Sequence, residues 1–242
     1  MRAAMRWLVL FLFSTQLFGS PRTYVRAGAA VERGRTTTVR DRDCNSTQPP
    51  ALFGCGFGAR GDFGQNPSLE IAFGLGTRAR VEVAIAHRQL ELDARSNFTG
   101  VSGAQIVTAE GRSISALVSG TLDLAPHIWR VRPFVTAGAG VARNSTGPVV
   151  YAFPGIGPEA VTITRGGAQV NPAWTAGIGA AFALTDSLTL DLTFRHTTLG
   201  TMRSPRGTAT IIRPTRTLEL EIDETRADVV SRGVLLSLRW TR

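Results

Sequence analysis

Apolar and polar residues alternate along most of this chain. From Trp174, every second residue is apolar (Trp174, Ala176, Ile178, Ala180, Phe182, Leu184), with the small Thr175, Gly177, Gly179, Ala181 and Ala183 between them. After Thr185, Asp186 and Ser187 the alternation resumes. Leu188, Leu190, Leu192 and Phe194 then lie on one face and Thr189, Asp191, Thr193 and Arg195 on the other. A period of two belongs to a β-strand, whose successive side chains point to opposite faces. The stretch predicts a hairpin of two strands of roughly 10 residues each, the length that crosses a bilayer when tilted. In a soluble barrel the apolar face turns inward. Here the opposite face carries Gly, Thr, Asp and Arg, which suits an inside-out barrel whose apolar face meets lipid.

The same pattern marks further segments: VRAGAAVE (25–32), SLEIAFGLG (68–76), RVEVAIAHRQLEL (80–92), RSISALVSGTLDLA (112–125), RPFVTAGAGVAR (132–143) and DVVSRGVLLSLRW (228–240). With the first hairpin they make an even set of eight strands. The connections 33–67, 95–111, 144–168 and 199–227 are long, and 77–79, 126–131 and 185–187 are short. Strict alternation of long and short connections is the asymmetry of an outer-membrane barrel, with short periplasmic turns and longer extracellular loops. The expected fold is therefore all-β: an eight-stranded antiparallel up-and-down transmembrane β-barrel. Residues 149–157 and 202–214 read as mobile, exposed loop segments that form a contact surface for an unidentified extracellular ligand.

Charge falls on the face opposite the apolar one. Arg26, Glu32, Glu70, Arg80, Glu82, Arg88, Asp123, Asp191, Arg195 and Arg239 are the inward positions. A barrel of this size is just wide enough for side chains to fill it, so opposite charges are expected to pair across the lumen and plug it. Glycines such as Gly74, Gly120, Gly177 and Gly233 would leave room beside the arginines. Trp129, Trp174 and Trp240 fall near strand ends, where interfacial aromatic girdles sit.

Composition then narrows the function. The 242 residues allow a single barrel domain, and the net charge is +9 with every basic residue an arginine. These arginines are scattered singly, without a basic run, which excludes nucleic acid as a partner and fits anionic lipid head groups, lipopolysaccharide included. Residues 1–20 (MRAAMRWLVLFLFSTQLFGS) have two arginines ahead of the apolar run 7–13. They read as a secretory signal peptide, with 21–242 the barrel and an uncleaved anchor the alternative. Localisation in a bacterial outer membrane follows.

Cys44 and Cys55 are the only cysteines. In an oxidising compartment they are expected to pair as a disulfide closing a short loop; the alternative is two free thiols. GFGARG (56–61) fits G-x-G-x-x-G but lies in a Pro/Gly-rich loop with no strand before it and no helix after it, so no dinucleotide site is expected. Asn45, Asn97 and Asn144 head N-x-S/T triplets and read as turn-forming polar residues of the long loops. His87 and His127 are isolated, and no metal-ligand spacing appears. No cofactor or metal is expected.

Two segments carry a resemblance. RPFVTAGAGVAR (132–143) and AWTAGIGAAFALTDSLTLDLTFRHTTLG (173–200) resemble strands of the small outer-membrane β-barrel family, comprising OmpA-like, Opa-like and "porin family" barrels. The last strand, with Ser231, Gly233, Leu236 and Leu238, is similar to the signal by which such barrels engage the barrel-assembly machinery. Family members usually end on an aromatic, whereas here Trp240 is followed by Thr241 and Arg242. The resemblance implies architecture more than activity, because such barrels serve as anchors, adhesins, channels and enzymes. Arg195-His196-Thr197-Thr198 also resembles the arginine-histidine-x-serine run of an outer-membrane lipid A deacylase family. Threonine stands for the serine, and the following asparagine is absent. His196 and Thr198, two residues apart on the lipid side, would be its base and nucleophile. The expected role is non-enzymatic, structural or surface-interacting through four long loops. A lipid A acyl hydrolase or a narrow porin-like channel are the alternatives.

Overall fold

The computed structural model describes residues 22–42, 58–96, 104–124 and 131–242. Cys44, Cys55, Asn45, Asn97, His127, Trp129 and the signal segment 1–20 lie outside the described residues.

Eight strands close a ring: β1 (Thr23–Gly34), β4 (Gln65–Gly76), β5 (Ala79–Arg95), β6 (Ile106–Asp123), β7 (Val131–Ala152), β9 (Gly167–Ala183), β10 (Leu188–Ser204) and β13 (Thr225–Thr241). Each pairs antiparallel with the next, and β13 pairs back onto β1 from Thr241↔Tyr24 to Ser231↔Gly34. Closure leaves no open edge around the ring, so its backbone donors and acceptors are satisfied without water. The short strands β2 (Thr37–Asp41), β3 (Ala59–Asp62), β8 (Val161–Thr164), β11 (Gly207–Arg213) and β12 (Arg216–Ile222) lie in the connections at the far end from the termini. There β8 pairs β7 and β11, and β11 pairs β12.

The short turns behave as their residues dictate. Gly76 adopts φ 123° between β4 and β5, a conformation that other residues rarely take. In the β9–β10 turn the Leu188 amide donates to Thr185 Oγ1 at 3.0 Å, and the Leu184 amide donates to the Leu188 carbonyl at 2.9 Å.

The long connections are shorter than the alternation suggests. Ring strands run well beyond the predicted segments: β7 continues to Ala152 and β10 to Ser204. Bulges hide these extensions. Pairing of β6 with β7 shifts between Ala109 and Gly111, and pairing of β10 with β13 shifts between Thr198 and Thr201, where Gly200 has φ +77°. A bulge moves the inward set by one residue, so the period of two breaks in the sequence while the strand continues. Asn144 is accordingly no loop residue. It sits inside β7, 1% exposed, and its Nδ2 donates to the Leu199 and Thr201 carbonyls at 2.8 and 3.0 Å. Residues 149–152 and 207–213 likewise belong to strands.

The wall has two storeys of opposite polarity. Along β5 the residues 81, 83 and 85 (Val, Val, Ile) face out, opposite inward Arg80, Glu82 and Arg88. Past His87 the same strand turns Gln89, Glu91 and Asp93 outward and buries Leu90, Leu92 and Ala94. The near-termini storey is thus apolar outside: Leu69, Ile71, Phe73, Ile178, Leu236 and Trp240 are each half or more exposed. The far storey packs Val39, Phe63, Leu90, Val107, Tyr151, Phe153, Met202 and Val229 into a water-shielded core. On β6 the outward apolar run spans residues 114–122. Eight steps of about 3.4 Å, tilted by about 40°, rise roughly 21 Å, near the ~25 Å band of membrane barrels.

Gly233 marks a close approach: a Cβ there would stand 2.2 Å from the Val31 carbonyl and 2.5 Å from Glu32 Cα. Gly120, expected to face the arginines, instead points outward, and a Cβ there would meet nothing within 4 Å.

Candidate functional site

The inward-facing charges form a connected lattice. All ten positions expected from the alternation are buried. Arg88 donates through Nε to Glu32 at 3.0 Å, and Glu32 accepts from Arg195 Nε at 2.6 Å. Arg195 also holds Glu70, Glu70 holds Arg26 at 2.7 Å, and Arg26 grips both oxygens of Glu82. Ser231, Ser115 and Tyr24 add hydrogen bonds to Glu32, Arg88 and Glu82 at 2.9, 2.8 and 3.1 Å. Six charges from four strands thus alternate in sign and cancel.

Nearer the termini, Arg239 makes a two-pronged contact with Asp191 at 2.9 and 3.1 Å, and Arg80 pairs with Asp123 at 2.7 Å. Arg80 also lies over the Phe134 ring and Arg239 over Tyr24. Period-two placement turns each acid and arginine to the inner side of its strand; Arg26–Glu70, Arg80–Asp123 and Arg239–Asp191 then meet between neighbouring strands, and the other pairs meet across the lumen. The cavity left among Tyr24, Arg26, Glu70, Glu82 and Arg239 is only about 50 Å³, room for a few water molecules. Above it the apolar core of the far storey closes the axis.

His196 and Thr198 both lie on the outer face of β10, as their spacing predicts. Their surroundings are not those of a general base and nucleophile. Arg232 Nε donates to His196 Nδ1 at 3.4 Å, and the Trp174 ring packs at 5.1 Å, tilted 48°. A base normally has its second nitrogen oriented by an acceptor that stabilises the imidazolium. A guanidinium at Nδ1 opposes that charge. No hydrogen bond joins His196 to Thr198. GFGARG is only partly described, and its last three residues enter β3, with no helix following. Among the described residues no group of His, Cys, Asp and Glu is placed to hold a metal ion.

Sequence reasoning missed the far storey. At its rim β12 pairs, among the described residues, only with β11 and exposes Leu220. In the same storey, burial pushes the Tyr151 phenol above its ordinary range, and its hydroxyl shares a 2.6 Å hydrogen bond with Thr225 Oγ1. The polarity exchange within the run 80–95 was the available signal for it.

No family model matches the chain, and no curated protein matches its sequence. Among solved structures, the outer membrane protein OprG from Pseudomonas aeruginosa superposes with a TM-score of 0.51 at 14% identity, covering 94% of this chain and 98% of that one. The outer membrane protease OmpT from Escherichia coli gives 0.49 at 9% identity over 91% and 97%. Neisserial surface protein A gives 0.41 at 13% over 90% and 96%. The chain has the fold of a small outer-membrane β-barrel.

Proposed function

We propose that this chain is an integral protein of a bacterial outer membrane: a closed, non-enzymatic barrel that displays its far storey outside the cell. The observation that carries this reading is the exchange of polarity along one continuous wall. An apolar belt over an ionic interior suits hydrocarbon, and a polar skin over an apolar interior suits water. Short turns beside both chain ends suit ends in the periplasm, and in this reading the connections 35–64, 96–105, 153–166 and 205–224 are the exterior ones. Residues 1–20 export the chain and the last strand engages the assembly machinery. The displayed head then serves as a structural or surface-contacting element. In this reading Cys44 and Cys55 form a disulfide in the first exterior connection.

Fractionation and gel mobility test the proposal together. The protein is expected in the outer-membrane fraction, migrating faster unheated than boiled in detergent. Recovery as a soluble protein without detergent would refute it.

The lattice of paired charges speaks against a channel, and planar bilayers should show no stepwise conductance. The Arg232 contact speaks against a deacylase. His196→Ala and Thr198→Ala should each leave lipid A acylation in the producing cells unchanged.

A further inference from the structure

Two arginines and a histidine stand in one row on adjacent strands where the apolar belt gives way to the polar skin. Arg33 on β1 is directly opposite Arg232 on β13, which is directly opposite His196 on β10. Both arginines are exposed, and so is Arg35, which the hydrogen bond from its amide to the Val230 carbonyl places one step further out. Like charges directly opposite one another destabilise a sheet. Inside the barrel Arg26 also stands opposite Arg239, but there every arginine of the lattice (Arg26, Arg80, Arg88, Arg195 and Arg239) meets an acid. At the boundary row no carboxylate among the described residues pairs with Arg33, Arg35 or Arg232, and Arg232 donates instead to His196. Asp228, further along β13, makes no ion pair with any of them. Past His87 on another part of the wall, Glu91 faces Glu110 and Asp62 faces Asp93, and there Arg60 also faces Arg95.

We infer that Arg33, Arg35 and Arg232 form a binding site for the phosphate groups of a phosphorylated saccharolipid in the outer leaflet, an inference that rests on the membrane reading above. Each part of such a lipid meets a matching surface. Guanidiniums grip phosphate oxygens through paired N–H donors and carry their charge at any physiological pH. One row toward the membrane, Val31, Val234 and Phe194 are exposed and apolar, a seat for acyl chains. Trp174, against His196 at the same level, presents the amphipathic ring that sits at the height of head groups. An anion bridging Arg33 and Arg232 turns a repulsive cross-strand pair into an attractive triad.

The test is lipid retention by the full mature protein in detergent, followed by native mass spectrometry. Diphosphoryl lipid A, dephosphorylated lipid A and phosphatidylglycerol serve as probes. Wild type is expected to retain diphosphoryl lipid A in preference to the other two. The double variant Arg33→Ser/Arg232→Ser should weaken that retention about tenfold or more, as loss of charge-assisted hydrogen bonds implies. Arg112→Ser/Arg143→Ser, elsewhere on the wall, should not. Unchanged retention in the first variant overturns the site, as does equal retention of the dephosphorylated lipid or of phosphatidylglycerol. Unheated gel mobility of the same samples separates the failures: folded, fast-migrating protein that ignores the lipid refutes the site alone, and protein that never migrates as a barrel refutes the membrane reading as well.

Discussion

Replacing Glu32 by glutamine keeps the size of the most enclosed acid in the lumen and removes its charge. Glu32 is fully buried and serves two arginines at once, Arg88 at 3.0 Å and Arg195 at 2.6 Å. Arg195 retains Glu70 after the change, but Arg88 has no other acid among the described residues. One guanidinium is therefore left buried without a counter-charge, a situation that costs about 3–5 kcal/mol. Arg195→Met is the informative comparison. It leaves Glu32 paired with Arg88 and Glu70 paired with Arg26, so no group is orphaned. Its cost should be about 1.5–3 kcal/mol, the worth of hydrogen bonds to charged groups. Urea unfolding of the barrel in lipid vesicles, followed by tryptophan fluorescence, measures both midpoints at a common slope. Glu32→Gln should fall further than Arg195→Met, and the double variant should lose less than the sum of the two, because the partners touch. Equal or reversed costs, or strict additivity, would refute a lattice of paired charges.

Other perturbations separate the storeys and the seam. Leu236→Arg, in the apolar belt, should destabilise the inserted barrel by about 2–4 kcal/mol, while Thr108→Arg beyond the boundary, exposed and opposite Asp93, should stay within about 0.5 kcal/mol; the same unfolding assay reads both. Phe63→Ala empties a fully buried site in the far storey and should cost about 3–5 kcal/mol, which proteolysis of the exterior connections would report as faster cleavage. Gly233→Ala drives a methyl group against the β1 backbone at the closing seam and should lower the yield of the fast-migrating form on unheated gels, whereas Gly120→Ala, facing open space, should leave it unchanged.

The membrane storey was legible because period two and side-chain chemistry agree there. Leu188, Leu190, Leu192 and Phe194 alternate with Thr189, Asp191, Thr193 and Arg195, and the structure sets them on opposite faces as that alternation requires. The far storey was obscured for two reasons. Its apolar residues occupy the parity that is ionic lower down, so Leu90 and Leu92 continue the face of Arg88 and look like an interruption of the pattern. Bulges at Gly147–Pro148 and Gly200 then shift the parity itself, so Asn144, Val149 and Tyr151 do not align in the sequence although all three point inward. The boundary row was harder still. Arg33, Arg232 and His196 lie far apart in sequence, and only the register of β1, β13 and β10 aligns them. The resemblance around His196 offered catalysis as an alternative, and the neighbour that shapes its environment, Arg232, comes from another strand.

The most direct test of the two-storey wall is nuclear Overhauser contact between leucine methyls and lipid acyl chains, measured on the folded protein in nanodiscs. Leu236 and Leu192 should show strong cross-peaks to the acyl chains, and Leu90 and Leu92 none. Acyl contacts at Leu90 or Leu92, with none at Leu236, would contradict the account.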